Sequence, residues 1–259
     1  MPFPILAGPE SEPFNTYSAL SPAPGAPSPI GSGMISRRHP QLLGMQMIMP
    51  DGRKFRYAVA GGSTLVAADV LTSGVVTASQ QNLTPAAAAV GDKSISLTTG
   101  ASSALNLFAE GYAVIGTTPG GGLHYVISGH LLMTTGAGDL VGLANGHGIR
   151  VALTTTSRVD LIPNIYGAVI QSPATTVASS PVGVAVSTPL TLVGCWIQTK
   201  GPVPVLRSGT AIAGDVVGTG LGSAGAAGPI AALATQPIVG FCIFRTTSTF
   251  MVVNLTLDG

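Results

Sequence analysis

Apolar and polar positions alternate with a period of two along much of the chain beyond Gln41, the spacing at which strand side chains fall on opposite faces of a sheet. In Lys54-Phe55-Arg56-Tyr57-Ala58-Val59, the residues Phe55, Tyr57 and Val59 share one face while the two bases take the other. The pattern predicts a half-buried strand. Lys93 to Thr98 repeats it, and short apolar runs follow at Tyr112 to Ile115, His124 to Met133, Ile149 to Leu153 and Val159 to Ile162. Turn-forming residues separate these runs: Thr117 to Gly122, Gly136 to Asp139, Asn145-Gly146 and Pro163-Asn164. Short strands at this spacing predict an all-β fold, an antiparallel sandwich or barrel.

The C-terminal third carries a weak internal echo. Ala178-Ser179-Ser180-Pro181-Val182-Gly183 recurs as Ala234-Thr235-Gln236-Pro237-Ile238-Val239-Gly240. One copy leads through Leu190 to Gln198 and the other through Thr249 to Leu257, so two similar hairpins packed together are one reading and chance is the other. The stretch from Gly214 to Ala227 reads as a Gly/Ala-rich loop. A single helix candidate, Pro85 to Val90, is short enough to form at most one or two turns.

Before Gln41 the pattern disappears. Prolines stand at 2, 4, 9, 13, 22, 24, 27 and 29 among Gly and Ser, with no periodic apolar face. Such a stretch builds no core and favours extended, polyproline-like conformations at roughly 3 Å per residue. The expected organisation is an extended arm over residues 1–44 and a β-rich domain over 45–259, with a division into 45–163 and 164–259 as an option.

Composition sharpens the picture. Only 8% of residues are charged, 11 basic against 10 acidic, while glycine and proline number 35 and 20. A near-neutral, charge-poor surface gives little colloidal repulsion and suits close packing against neighbours. It also lacks the basic stripe that phosphate neutralisation needs, so no nucleic-acid partner is expected. No apolar run reaches the 18 residues of a membrane span, and Pro2, Pro4 and Pro9 interrupt any secretory h-region, so no membrane partner is expected either. Cys195 and Cys242 lie in apolar runs and read as buried thiols, with a disulfide as the alternative.

The chemistry-bearing motifs read as structure. Gly220-Leu221-Gly222-Ser223-Ala224-Gly225 matches a dinucleotide-binding spacing, but no carboxylate follows about 20 residues on, so a loop is expected. His124 and His130, six residues apart on one strand, would stand roughly 20 Å from each other at about 3.3 Å per residue. Neither is expected to bind a metal. His147 reads as a turn residue and His39 as part of a linker. No Gly-x-Ser-x-Gly elbow occurs, and Glu110, Asp139, Asp160 and Asp215 are isolated carboxylates. The expectation is a protein without catalytic residues, cofactor or metal. The Asn82-Leu83-Thr84 and Asn254-Leu255-Thr256 triplets read as chance.

The densest charge is Arg37-Arg38 and Arg53-Lys54-Arg56, on either side of the arm's junction with the domain. One reading is a solvated strand face. The other is a set of contacts to carboxylates of a neighbouring subunit, together with the arm prolines Pro22, Pro24, Pro27 and Pro29.

Several stretches, taken together, resemble head proteins of tailed bacteriophages. They are Gly52 to Gly61, Gly91 to Leu97, Ile149 to Val159 with Pro163 to Gly167, Pro181 to Ala185, and Cys195 to Pro202. The likeness covers Gly52 to the C-terminus and leaves out the arm. It implies a capsid decoration, or cement, protein on the capsid exterior of the virion. Such a protein is a β-rich subunit, often a homotrimer, that binds the major capsid protein and reinforces the head. Another virion component (tail, fibre or minor head protein) and a bacterial surface adhesin are the alternatives.

Overall fold

The computed structural model of the protein describes residues 41–74, 78–144, 148–175, 179–219, 222–231, 236–245 and 249–258. Residues 1–40 of the arm, with Pro22, Pro24, Pro27, Pro29, Arg37, Arg38 and His39, lie outside the described residues, as do His147 and the first two positions of the glycine-rich motif. The fold is all-β, built from antiparallel sheets.

In chain order the strands are β1 (Gln46–Ile48), β2 (Lys54–Val59), β3 (Val70–Thr72), β4 (Thr84–Pro85), β5 (Ser94–Thr98), β6 (Tyr112–Ile115), β7 (His124–His130) and β8 (Gly138–Leu143). They continue with β9 (Val159–Ile162), β10 (Ile170–Gln171), β11 (Pro181–Ala185), β12 (Gly194–Leu206), β13 (Val216–Thr219), β14 (Ala227–Pro229), β15 (Ile238–Arg245) and β16 (Phe250–Thr256). The chain forms two compact units. The described residues of 41–74 and 165–258 make one, and those of 78–164 make the other.

The second unit is a six-stranded sheet in the order β4-β5-β8-β7-β6-β9. Leu83, just before β4, exchanges two backbone hydrogen bonds of 2.9 Å with Val159 in β9. First and last strands are thereby joined, and the sheet closes almost fully into a barrel without long free edges. Its interior is filled by the alternating inward residues, among them Ile95, Leu97, Ile115, Tyr125, Ile127, Val141, Val159 and Leu161.

The helix candidate at Pro85 to Val90 is extended instead. Ala86 N–H donates to Ser96 O in β5 and Ala88 N–H to Leu153 O, so neighbouring backbone takes the bonds that too short a helix could not secure. The run Ile149 to Leu153 is likewise not a strand; within it only Leu153 forms a bridge, to Ala88.

The first unit holds a ten-stranded sheet whose main order is β10-β3-β11-β12-β16-β15-β13-β14, with β2 pairing both β1 and β12. The 13-residue β12 organises it. Its N-terminal half pairs with β2 from Gly194↔Val59 to Lys200↔Lys54, and with β11 at Val184↔Gln198. Its C-terminal half pairs with β16 from Lys200↔Thr256 to Leu206↔Phe250. The change of partner falls at Gly201, whose φ of +88° is one that glycine adopts at least cost. Pro202 and Pro204, which cannot donate, lie where Val203 and Val205 keep the ladder to β16 in the alternate positions.

The β11–β12 and β15–β16 hairpins predicted from the sequence echo thus lie side by side, joined through β12 and β16. Part of the expected loop from Gly214 to Ala227 is β13, which pairs with β14 and β15. Cys195 and Cys242 are buried in separate core clusters and are not joined by a disulfide.

Candidate interaction surfaces

Two features of the first unit have the character of a site. The first grows from the basic strand. Phe55 and Tyr57 point into a cluster with Trp196, Met47 and Met49, which turns Lys54 and Arg56 to the opposite face of β2. There Asp258 meets them. The Arg56 guanidinium donates through Nε to Oδ2 at 2.9 Å and through Nη2 to Oδ1 at 2.7 Å. Gln46 Nε2 and Thr199 Oγ1 each donate to Oδ2 at 3.2 Å, and Lys54 Nζ donates to the Asp258 carbonyl at 3.0 Å. Arg56 also donates to Gly44 O at 2.8 Å and lies over the Tyr166 ring.

The guanidinium beside Asp258 holds its carboxyl below the ordinary range, against the opposing effect of burial. Arg56 is raised for the same reason. This fork geometry is the strong form of a charge-assisted pair. It ties strands separated by some 200 residues of sequence and uses Arg56 inside the chain. Arg53 differs: it is partly exposed and pairs with its near neighbour Asp51. Of the three described bases among those singled out in the sequence, Arg53 is therefore the one where charge reversal leaves the internal latch intact.

The second feature is a sheet face. On β12, β16, β15 and β13 the inward positions Val203, Val205, Met251, Val253, Leu255, Cys242 and Val217 form one core cluster. The opposite face should be polar, and it is not. Phe250, Phe241 and Phe244 are 41%, 45% and 62% exposed. Val252 and Leu206 stand beside them half-buried, with Pro204 and Val216 exposed. Cross-strand register puts Phe241 opposite Val216 and Asn254, Phe244 opposite Val252, and Phe250 opposite Leu206, distances at which side chains touch.

Strict alternation from the buried Cys242 would point Phe244 inward. A β-bulge between Cys242 and Phe244 adds one residue and turns Phe244 out. Among the described side chains of these strands, the charge that register sets on this face is Lys200, opposite Thr256 and away from the three rings.

The two described histidines make contacts within the fold. His124 is exposed with its ring edge-on to Tyr112. His130 is fully buried: Nε2 accepts from Phe108 N–H at 3.0 Å and Nδ1 lies 2.7 Å from Leu131 O. The accepting Nε2 places the proton on Nδ1, which donates to that carbonyl. Among the described residues no group of three or more His, Cys, Asp or Glu is arranged to hold a metal ion, and no helix is long and apolar enough to cross a membrane. No family model matches the chain, and neither does any curated protein or solved structure.

Proposed function

We propose that this chain is a non-enzymatic structural protein of a virus particle, a decoration protein that binds the major capsid protein on the outside of a tailed-phage head and stabilises it. The observation that carries this reading is the exposed aromatic face of β12, β13, β15 and β16. An apolar face of this kind marks an interaction surface rather than the surface of a chain that acts alone. The low charge of the whole sequence supports the same conclusion, and the resemblance beyond Gly52 directs it to a phage shell. In this reading the chain assembles as a homotrimer and the Pro-rich arm lies along a neighbouring subunit.

The test uses virus heads assembled from a genome deleted for this chain. Full-length protein and a variant lacking residues 1–40 are co-sedimented with them. The full chain is expected to bind saturably and the truncated chain more weakly. Equal binding removes the arm from the account, and binding by neither overturns the decoration reading.

A further inference from the structure

The exposed face of β12, β13, β15 and β16 has an identifiable occupant. We infer that it is covered by a second copy of this chain, so that self-association runs through Phe241, Phe244 and Phe250. The inference deepens the assembly reading above and rests on it.

Three observations converge. The run Ile238-Val239-Gly240-Phe241-Cys242-Ile243-Phe244 is apolar on both parities, the signature of a strand buried on both sides. In the single chain only the Cys242 side is buried. The missing cover must come from outside the described chain.

The area fits a like partner. Taking about 200 Å² for a whole phenylalanine side chain, the three rings leave roughly 300 Å² uncovered. Val216, Ile238 and Ile243, each exposed by more than a third, bring the face to about 500 Å², the upper end of what a monomer leaves in water. Two such faces together bury about 1,000 Å², the threshold of a specific interface.

Charge fits as well. A patch that meets its own copy must not set like charges against each other; the register partners of its three rings, Val216, Asn254, Val252 and Leu206, carry none, and Lys200 stands at its far end opposite Thr256. Interface centres are depleted of charge and enriched in aromatic residues in the same way. The bulge strengthens the case, because it places the most exposed ring of the three on the outside of the sheet, where only a covering partner offsets its hydration.

The test is the mass of the full chain in solution, by sedimentation equilibrium across a wide concentration range. It compares wild type, the double variant Phe241→Thr/Phe244→Thr, and Leu132→Thr, an exposed leucine of the barrel unit. Threonine keeps strand propensity at exposed positions, and far-ultraviolet circular dichroism checks that the sheet is intact. Wild type and Leu132→Thr are expected as multiples of 25.8 kDa. Loss of central interface aromatics should weaken association of the double variant by at least about 30-fold. A wild type that stays monomeric, or a double variant that associates like wild type, overturns the inference.

Head binding measured in parallel separates the two ideas. A monomer that binds heads contradicts only the inference, whereas an oligomer that depends on these rings but never binds heads contradicts only the decoration reading.

Discussion

Replacing Asp258 with Asn probes the latch that ties the C-terminal segment to β1, β2 and β12. The carboxylate takes two guanidinium bonds from Arg56 and one each from Gln46 and Thr199, and the paired side chains are 27% and 20% exposed. Exposed pairs contribute about 0.2–1 kcal/mol, whereas breaking a buried one costs about 3–5 kcal/mol. This pair lies between those limits, so the substitution should cost about 2 kcal/mol at neutral pH. In a chain of this size that corresponds to about 4–8 °C in Tm for the unit that holds the latch.

The pH dependence identifies the cause. The folded-state pKa of Asp258 is lowered, first by its hydrogen bonds with Arg56. The stabilisation is therefore fully present above the unfolded carboxylate value of about 3.9 and is lost as pH falls through the depressed folded value. Urea unfolding of wild type and Asp258→Asn should show a gap that is constant near neutrality and closes in acid. A gap below about 0.5 kcal/mol at neutral pH, or one that does not change with pH, refutes the assignment.

Three further outcomes follow from buried groups. Burial pushes the Cys195 thiol up to about 12 and Cys242 is equally enclosed, so an aromatic disulfide reagent should label neither thiol until the protein unfolds; rapid native-state labelling of either contradicts the core placement. His130→Ala removes the acceptor of Phe108 N–H and leaves a cavity, and should destabilise the barrel unit by about 3 kcal/mol in denaturant titration. A change under about 1 kcal/mol would deny His130 its role as a latch. Asp69 is raised by burial, which its hydrogen bond from Gln171 only partly offsets, so its contribution is largest below the unfolded pKa and is lost as pH rises through the folded one. Asp69→Asn should therefore match or exceed wild-type stability at neutral pH and lose that advantage in acid; a clear loss at neutral pH would show that the charged form is favoured.

The sequence carried some of this plainly. Lys54–Val59, Tyr112–Ile115 and Val159–Ile162 are strands with the bounds that alternation gives, because each has one face in a core. Alternation says which residues share a face but not which strand lies alongside. Hence the pairing of β2 with β12, across about 140 residues, and the Arg56–Asp258 pair were hidden. Ile149 to Leu153 has a strand's composition, yet pairing in the barrel leaves it only a single bridge. The aromatic face was half legible. The apolar run from Ile238 to Phe244 was visible, but the outward turn of Phe244 depends on a bulge that no parity rule foresees.

The claim that this chain reinforces a virus shell is tested most directly by the temperature at which heads rupture. Heads assembled without the chain are heated alone and with saturating purified protein, and genome release is followed by dye fluorescence. The account predicts release at a higher temperature when the protein is present, with the gain lost in Phe241→Thr/Phe244→Thr. An unchanged release temperature at saturating protein would contradict it.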